Sequence, residues 1–267
     1  MTIEAYSAVT RFSHVADFYD DVRPATPRIL IDILKQYAGV QKAKLVVDVG
    51  SGTGLSSRAW SEDAEQVIGI EPNAQMREQA TSRTQVANVS YREGISSNTG
   101  IEDSAVDIAT CSQSFHWMDA KETLAEMHRI LRPGGVFAIY YCKFPPVMNW
   151  EMERHFQAFM SRIDQMDEEH RRNLGIKHGA KTNPLPSVRQ SGLFQLARDF
   201  FVHSAERGNA TRLARMVRSF SGVATRLKSG CSEEEIGLTT LDAAAHELLG
   251  DELRQWYFSY KVVIAVK

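Results

Sequence analysis

The sequence predicts an α/β fold in which helices pack on both faces of a mostly parallel sheet. Three observations predict it. Apolar strand-like runs alternate with helical patterns up to about residue 141, the alternation that yields parallel strands joined by right-handed crossovers. One run, Leu45-Val46-Val47-Asp48-Val49, enters the turn Gly50-Ser51-Gly52-Thr53-Gly54 directly. The next, Val67-Ile68-Gly69-Ile70, ends on Glu71. Strand, glycine turn, helix, strand and acid make half of a nucleotide-binding sheet.

The elements follow in order. Phe12, Val15, Phe18, Tyr19 and Val22 recur at helical spacing before Arg23-Pro24, which predicts a short amphipathic helix. Thr26 and Pro27 read as the N-cap and first residue of a second helix. Its apolar face is Leu30, Ile33, Leu34 and Tyr37, and Gly39 ends it. A strand over 44–49 leads through the glycine turn to a helix carrying Leu55, Ala59 and Trp60. Peptide N–H groups at such a helix start face a ligand. Asn73 caps a helix running to about Thr81, and Val89 to Glu93 is a third strand ending at Gly94. Ser97 to Gly100 is a polar loop, and Ala105 to Cys111 a fourth strand. Asp119 caps a helix with Leu124, Met127, His128 and Leu131. Arg132-Pro133-Gly134-Gly135 breaks that helix before a fifth strand, Val136 to Tyr141.

The pattern changes after Cys142, where Pro145-Pro146 marks a break. Phe156, Phe159, Met160, Ile163 and Met166 form a helical stripe, and 171–190 reads as a polar, mobile connection. Phe194 to Val202 predicts a strand, and Leu213, Met216, Val217 and Phe220 a helix. Ser232 and Glu235 match a capping box, and Trp256 to Val266 is a closing β run.

At 267 residues the chain is long enough for one α/β domain with an added element. Its 43% hydrophobic and 24% charged residues are ordinary for a globular protein. A formal charge of −2 gives no general attraction to nucleic acid or acidic membrane. No apolar run reaches the roughly 18 residues of a membrane helix. The start, Met1-Thr2-Ile3-Glu4, lacks the regions of a secretory signal. Cys111, Cys142 and Cys231 form no C-x-x-C pair, and the histidines do not cluster, so neither a metal nor a disulfide framework is expected. A cytoplasmic location fits, and the oligomeric state is unknown from sequence.

The glycines at 50, 52 and 54 depart from the G-x-G-x-x-G of dinucleotide-binding folds, with Leu55 where the third glycine would stand. With Asp48 before them and Glu71 after the next strand, they resemble the first motifs of class I S-adenosylmethionine-dependent methyltransferases. The likeness is best from Arg11 to about Tyr141. Tyr19-Arg23-Pro24, the segment His116-Trp117-Met118-Asp119 and the Arg-Pro-Gly-Gly turn are similar to small-molecule enzymes of the trans-aconitate methyltransferase type. The resemblance implies a Rossmann-like, doubly wound sheet of seven strands, with the last antiparallel and a helical cap beside it. The corresponding segments are an N-terminal gate (1–25), a cofactor-binding core (26–143), a cap insertion and connection (144–195), and final strands with further cap helices (196–267).

It also implies site residues. Asp48, Gly50, Ser51, Gly52 and Gly54 would hold the methionine end of S-adenosylmethionine. Glu71, with Pro72 and Met76 beside it, would meet the ribose, because a carboxylate supplies two acceptors for a diol. Gly94 and Ile95 fall where the family places adenine. Ile95 has no polar group, so recognition there rests on main chain and packing. Gln113 and Ser114 would border the methionine moiety, with Tyr19 and Arg23 folding over the cofactor. Arg23 either pairs with a carboxylate or is a solvated residue before a proline turn. His116 and Trp117 would line the acceptor pocket. His116 is either the base that deprotonates a hydroxyl acceptor or a wall residue, since methyl transfer can proceed by alignment alone.

The sequence therefore predicts a methyltransferase that moves a methyl group to a small molecule, most simply at a carboxylate or hydroxyl oxygen. Its rivals are a nicotinamide-dependent oxidoreductase, a non-catalytic cofactor-binding protein, and a methyltransferase of RNA or protein. The basic stretch Arg189 to Lys228 either steers an anionic substrate into the cap or, balanced by Glu233-Glu234-Glu235, is a charged solvent face; aromatics do not interleave with it as they do in a nucleic-acid platform.

Overall fold

The computed structural model describes residues 20–173 and 183–267. Tyr19 and most of the predicted first helix, including Phe12, Val15 and Phe18, lie outside the described residues, as do residues 174–182 of the predicted connection. Seven strands form one sheet in the order β3-β2-β1-β4-β5-β7-β6. They are β1 (Ala43–Val49), β2 (Ala64–Ile70), β3 (Val89–Arg92), β4 (Val106–Ser112), β5 (Leu131–Val147), β6 (Leu196–Gly208) and β7 (Arg254–Val266). The first five run parallel, and β7 pairs antiparallel with both β5 and β6. The predicted fold class holds.

The helices among the described residues are α1 (Arg28–Ala38), α2 (Leu55–Ala59), α3 (Ala74–Arg83), α4 (Ala120–Ile130), α5 (Trp150–Asn173), α6 (Leu185–Gln190), α7 (Ala210–Arg218), α8 (Ser221–Lys228) and α9 (Leu238–Leu249). One sheet face buries Leu30, Leu34, Val46, Tyr140, Phe156, Leu213 and Trp256 against α1, α5 and α7 to α9. The other buries Val47, Ile68, Leu124, Phe137 and Val188 against α4 and α6. Alternation in β1 serves both layers: Val46 faces one core and Val47 the other. No helix among the described residues is long and apolar enough to cross a membrane.

Several boundaries differ from the sequence reading, each for a local reason. Thr26 makes no cap; extended Pro27 precedes α1, and its carbonyl takes the first turn's N–H groups. The helix after the glycine turn is five residues long, because the chain must return to begin β2. Leu131 leaves the helix and pairs with Val106 at the start of β5. β5 does not stop at Pro145-Pro146: after a shift in register, Val147 pairs again with Tyr257. Part of the 171–190 connection is helical, as α6. The capping box forms both bonds, Glu235 N to Ser232 Oγ and Ser232 N to Glu235 Oε2, yet it closes a turn, and α9 starts only after left-handed Gly237. Asn73 and Asp119 cap α3 and α4 as predicted, and Gly39 ends α1 in the left-handed conformation.

Asp107 ties the base of the sheet together. Its carboxylate accepts from Lys44 N (2.7 Å), Leu45 N (3.2 Å) and Arg132 Nε (2.6 Å), and Arg132 reaches on to the Ala38 carbonyl (2.7 Å). These bonds hold the carboxyl below its ordinary range against the opposing effect of burial. Asp107→Ala should cost about 2–4 kcal/mol in urea unfolding at neutral pH, since it strands two amides and a guanidinium. With a depressed carboxyl, the wild-type advantage is complete above the ordinary aspartate pKa. It fades as pH falls through the folded-state value, so the two proteins should converge in stability in acid.

Candidate active site

The carboxyl ends of β1, β2, β3 and β4 converge on one crevice, the position where open α/β sheets bind ligands. The turn after β1 is held from several sides. Gly50 N and Ser51 N donate to the Ile70 carbonyl at 2.8 and 3.2 Å, clamping the turn to the end of β2. Gly50 has φ 70°, and a Cβ there would meet Ser114 Cβ at 2.6 Å and Met118 Cε at 2.9 Å. Only glycine lets the loop after β4 close so tightly on the turn. Gly52 has φ 55° and open space where a Cβ would stand, so a ligand can lie against its peptide. Gly54 leads into α2. Because α2 is only five residues long, the expected helix-terminus field is weak, and what the turn presents to the crevice is its own peptide groups.

Glu71 is buried beside this turn. Its Oε2 accepts from Gly52 N and its Oε1 from Asn73 N, both at 2.9 Å, while Arg77 Nη1 binds its carbonyl. Burial raises its pKa, and the two amides act in the opposite direction. Each oxygen keeps a lone pair for a hydroxyl donor. Asp48 lies deeper, with no exposure: Oδ1 accepts from Thr110 Oγ1 (2.8 Å) and Oδ2 from Ser57 Oγ (2.7 Å). It braces the turn from below. Ser51 Oγ is buried and has no hydrogen-bond partner among the described residues.

Pro72, Gly94 and Ile95 line one cavity of about 340 Å³ with Glu93, Asn98, Thr99 and Gly100. The Ile95–Asn98 bridge shapes its wall, and Ile95 is 44% exposed. Met76 is buried in the first turn of α3, its N–H capped by Asn73. Gln113 takes a left-handed conformation (φ 57°) and donates its N–H to Tyr140 O. A non-glycine residue held there marks a turn fixed by its surroundings. Ser114 Oγ donates to Val49 O at 2.8 Å, joining the two loops. His116 and Trp117 sit on a 3-10 turn (Phe115–Trp117), both exposed, with His116 against Trp117 (4.7 Å) and Tyr141 (5.7 Å).

Arg23 faces the cap helices. Nε donates to Ser219 Oγ (2.8 Å) and Nη2 to Ser219 O (2.9 Å), with the guanidinium over the rings of Phe220 and Phe144. The residue that reaches the glycine turn from this segment is Asp20, which accepts from Thr53 Oγ1 and pairs with Arg58. Asp20 carried no motif, and an isolated acid beside Tyr19 offered no periodic signal. Ser57 and Thr110, which satisfy Asp48, were equally silent, since single hydroxyls have no spacing to read. Among the described residues no group of three His, Cys, Asp or Glu side chains is placed to hold a metal.

The comparisons agree with this geometry. Residues 47–139 match a family model described as a methyltransferase domain. An uncharacterized methyltransferase of Schizosaccharomyces pombe is 24% identical over 78% of this chain and 77% of its own length. A malonyl-[acyl-carrier protein] O-methyltransferase of Pectobacterium atrosepticum is 34% identical, the match covering 48% of this chain and about half (49%) of that enzyme. The structure of a candidate type II methyltransferase from Anaeromyxobacter dehalogenans superimposes with a TM-score of 0.63 at 21% identity, covering 91% of this chain and 97% of the other, and shares the fold. The chain is an S-adenosylmethionine-dependent methyltransferase.

The residues present fit that cofactor. The open face of Gly52, the unpartnered Ser51 hydroxyl and the spare acceptor capacity of Glu71 suit an amino acid joined to a ribose. Glu71→Ala should therefore weaken S-adenosylmethionine binding by about 1–3 kcal/mol in titration calorimetry, the scale of leaving buried partners unsatisfied. An unchanged affinity would remove Glu71 from the ribose site.

Proposed function

We propose that this methyltransferase acts on a small-molecule acceptor and transfers the methyl group to oxygen, at a carboxylate or a hydroxyl. One observation carries the reading: residues 20–25 bridge the glycine turn and the cap. Asp20 holds Thr53 and Arg58 at the turn, while Arg23 binds Ser219 and Ala25 N donates to Glu206 in the cap half of the chain. A methyl acceptor then meets the site under a cover supplied by the chain itself, a cover that suits a small molecule better than a polymer. The Pectobacterium relative is named as an O-methyltransferase, which supports oxygen as the acceptor atom.

S-adenosylmethionine supplies a methyl group activated on a sulfonium sulfur. In this reading Glu71 takes the ribose hydroxyls. Pro72, Gly94 and Ile95 enclose the adenine by packing, with Met76 stiffening the turn beneath. Gly50, Ser51, Gly52, Gly54, Gln113 and Ser114 flank the methionine part, braced by Asp48. Arg23 belongs to the covering segment and acts through the cap; Tyr19 lies outside the described residues. His116 and Trp117 form the acceptor-side wall. The residues align donor and acceptor and exclude water, effects that supply a large part of the acceleration of an in-line displacement.

Incubating the protein with a metabolite extract and methyl-labelled S-adenosylmethionine should label a small-molecule fraction. Label confined to protein or RNA would overturn the reading. Once an acceptor is known, His116→Ala should retain single-turnover rates within about tenfold, as a wall residue allows. A loss of about 10²–10⁴-fold with normal cofactor affinity would instead make His116 the general base. The bridge has its own test. Added cofactor should increase hydrogen-exchange protection from Asp20 to Arg23, as closure of a covering segment requires; unchanged exchange at saturation would make the segment a fixed wall.

A further inference from the structure

Among the described residues, the β6 edge of the sheet has no further strand beside it, and it is unusually long. β6 runs thirteen residues against β7 in one unbroken register, with no bulge and no proline. Natural edges are normally short, bulged or interrupted, because unpaired peptide groups template another strand. The pairing tells which groups face outward. Lys267 N donates to Gly135 O, so odd-numbered residues of β7 face β5 and even-numbered ones face β6. The even residues of β6 are consumed by β7, and the odd ones turn their N–H and C=O groups outward. At one end, Arg189 on α6 covers the Ala197 carbonyl (3.2 Å); at the other, Arg212 takes the Arg207 carbonyl (2.7 Å). Between them, Asp199, Phe201, His203 and Ala205 have no backbone partner beyond β7 among the described residues.

Side chains of the same odd positions lie on the face opposite the cap. Phe201 is 56% exposed there, and Tyr257 of β7 is 52% exposed beside Ala205, its register partner. Their backs are secured: Val202, Phe258 and Tyr260, on the other face of these strands, are buried in the cap core. Among the described residues the edge is therefore a stiff template carrying exposed apolar side chains.

We infer that β6 is a dimer interface, pairing antiparallel with β6 of a second copy of this chain across a two-fold axis at His203. The charge pattern selects the copy and the register. A dyad there sets Asp199 opposite the partner's Arg207 and, by symmetry, Arg207 opposite the partner's Asp199. It sets Phe201 opposite the partner's small Ala205, so the ring reaches the partner's Tyr257 across it in a large–small–large row. Glu206, the other edge acid, has both oxygens taken, by Arg212 and by Ala25 N, whereas Asp199 spends one, Oδ2, on Lys261 Nζ (3.2 Å) and keeps Oδ1 for the partner's Arg207. The three central pairs would add about six backbone hydrogen bonds, two for each outward-facing pair. The crevice at β1 to β4 lies away from this edge in strand order and stays accessible.

Sedimentation of the full chain over a concentration series tests the inference, and a reversible dimer is expected. His203→Pro removes an outward N–H and leaves the ladder to β7 whole, so it should give a folded monomer. Arg207→Asp should raise the dimer dissociation constant roughly tenfold or more by opposing two carboxylates, and adding Asp199→Arg should restore it. The charge swap keeps the test decisive even if the proline variant misfolds. Wild-type protein that stays monomeric at every concentration would overturn the inference. So would a dimer indifferent to His203→Pro and to both charge variants, which would place the interface elsewhere.

Discussion

Asp48 carries its carboxylate to a point with no solvent exposure, at the centre of the parallel strands. An ion there costs several kcal/mol unless it is bonded, and burial pushes the Asp48 carboxyl up while the hydroxyls of Ser57 and Thr110 oppose that shift. Thr110 comes from β4, so the acid locks β1 to its neighbour. Ser57 comes from α2, nine residues later in the chain. To bring that hydroxyl back under Asp48, the chain must reverse within the glycine turn. The tight geometry of residues 50–54 is thus enforced from below by the electrostatics of one buried group. Its peptide groups, facing the crevice, are what remains for a ligand.

The second constraint joins halves of the molecule that the sheet alone would leave apart. β1 to β4 shape the candidate crevice, whereas the cap helices hang from β5, β6 and β7. Residues 20–25 connect them through Asp20 on one side and Arg23 and Ala25 on the other, and Tyr260 Oη donates to the Ala25 carbonyl (2.8 Å). Arg23 suits this task because its planar guanidinium can stack on Phe220 and Phe144 while its edge bonds Ser219. A lysine there would keep the charge and lose the fork. The connection also explains why a segment without a core of its own can matter to the site.

Periodicity and glycine spacing made the fold legible: the βαβ alternation, the caps at Asn73 and Asp119 and the left-handed Gly39 are local signals that tertiary packing did not override. The candidate crevice was legible for the same reason, since Asp48, the glycines and Glu71 lie within one βαβ unit. Features that depend on distant pairing were hidden. β5 passes through Pro145-Pro146 because β7 lies beside it, and no local pattern announces that partner. Arg23 was readable as a cation near the site, but its stacking on Phe220 joins positions far apart in the chain. The length of β6 was invisible as well, since Ser204 to Arg207 has no apolar alternation and becomes strand only by pairing with Trp256 and Gln255.

The protonation of nearby groups bears on how such a site avoids modifying itself. A thiolate is a better methyl acceptor than a carboxylate or hydroxyl, and Cys111 and Cys142 lie on β4 and β5, the two strands that follow β1 in the sheet order. Burial raises both thiols, Cys142 to about 12 and Cys111 further, so they stay protonated and weakly nucleophilic at neutral pH. Tyr140 is likewise pushed to about 12 while its hydroxyl rests 2.5 Å from Ser56 Oγ. The carboxylates of the crevice are restrained differently, since Asp48 and Glu71 already accept hydrogen bonds from Ser57, Thr110, Gly52 and Asn73. Those bonds occupy lone pairs of both groups and so reduce their nucleophilicity. Nucleophilicity is thereby left to a molecule that enters the crevice rather than to these side chains.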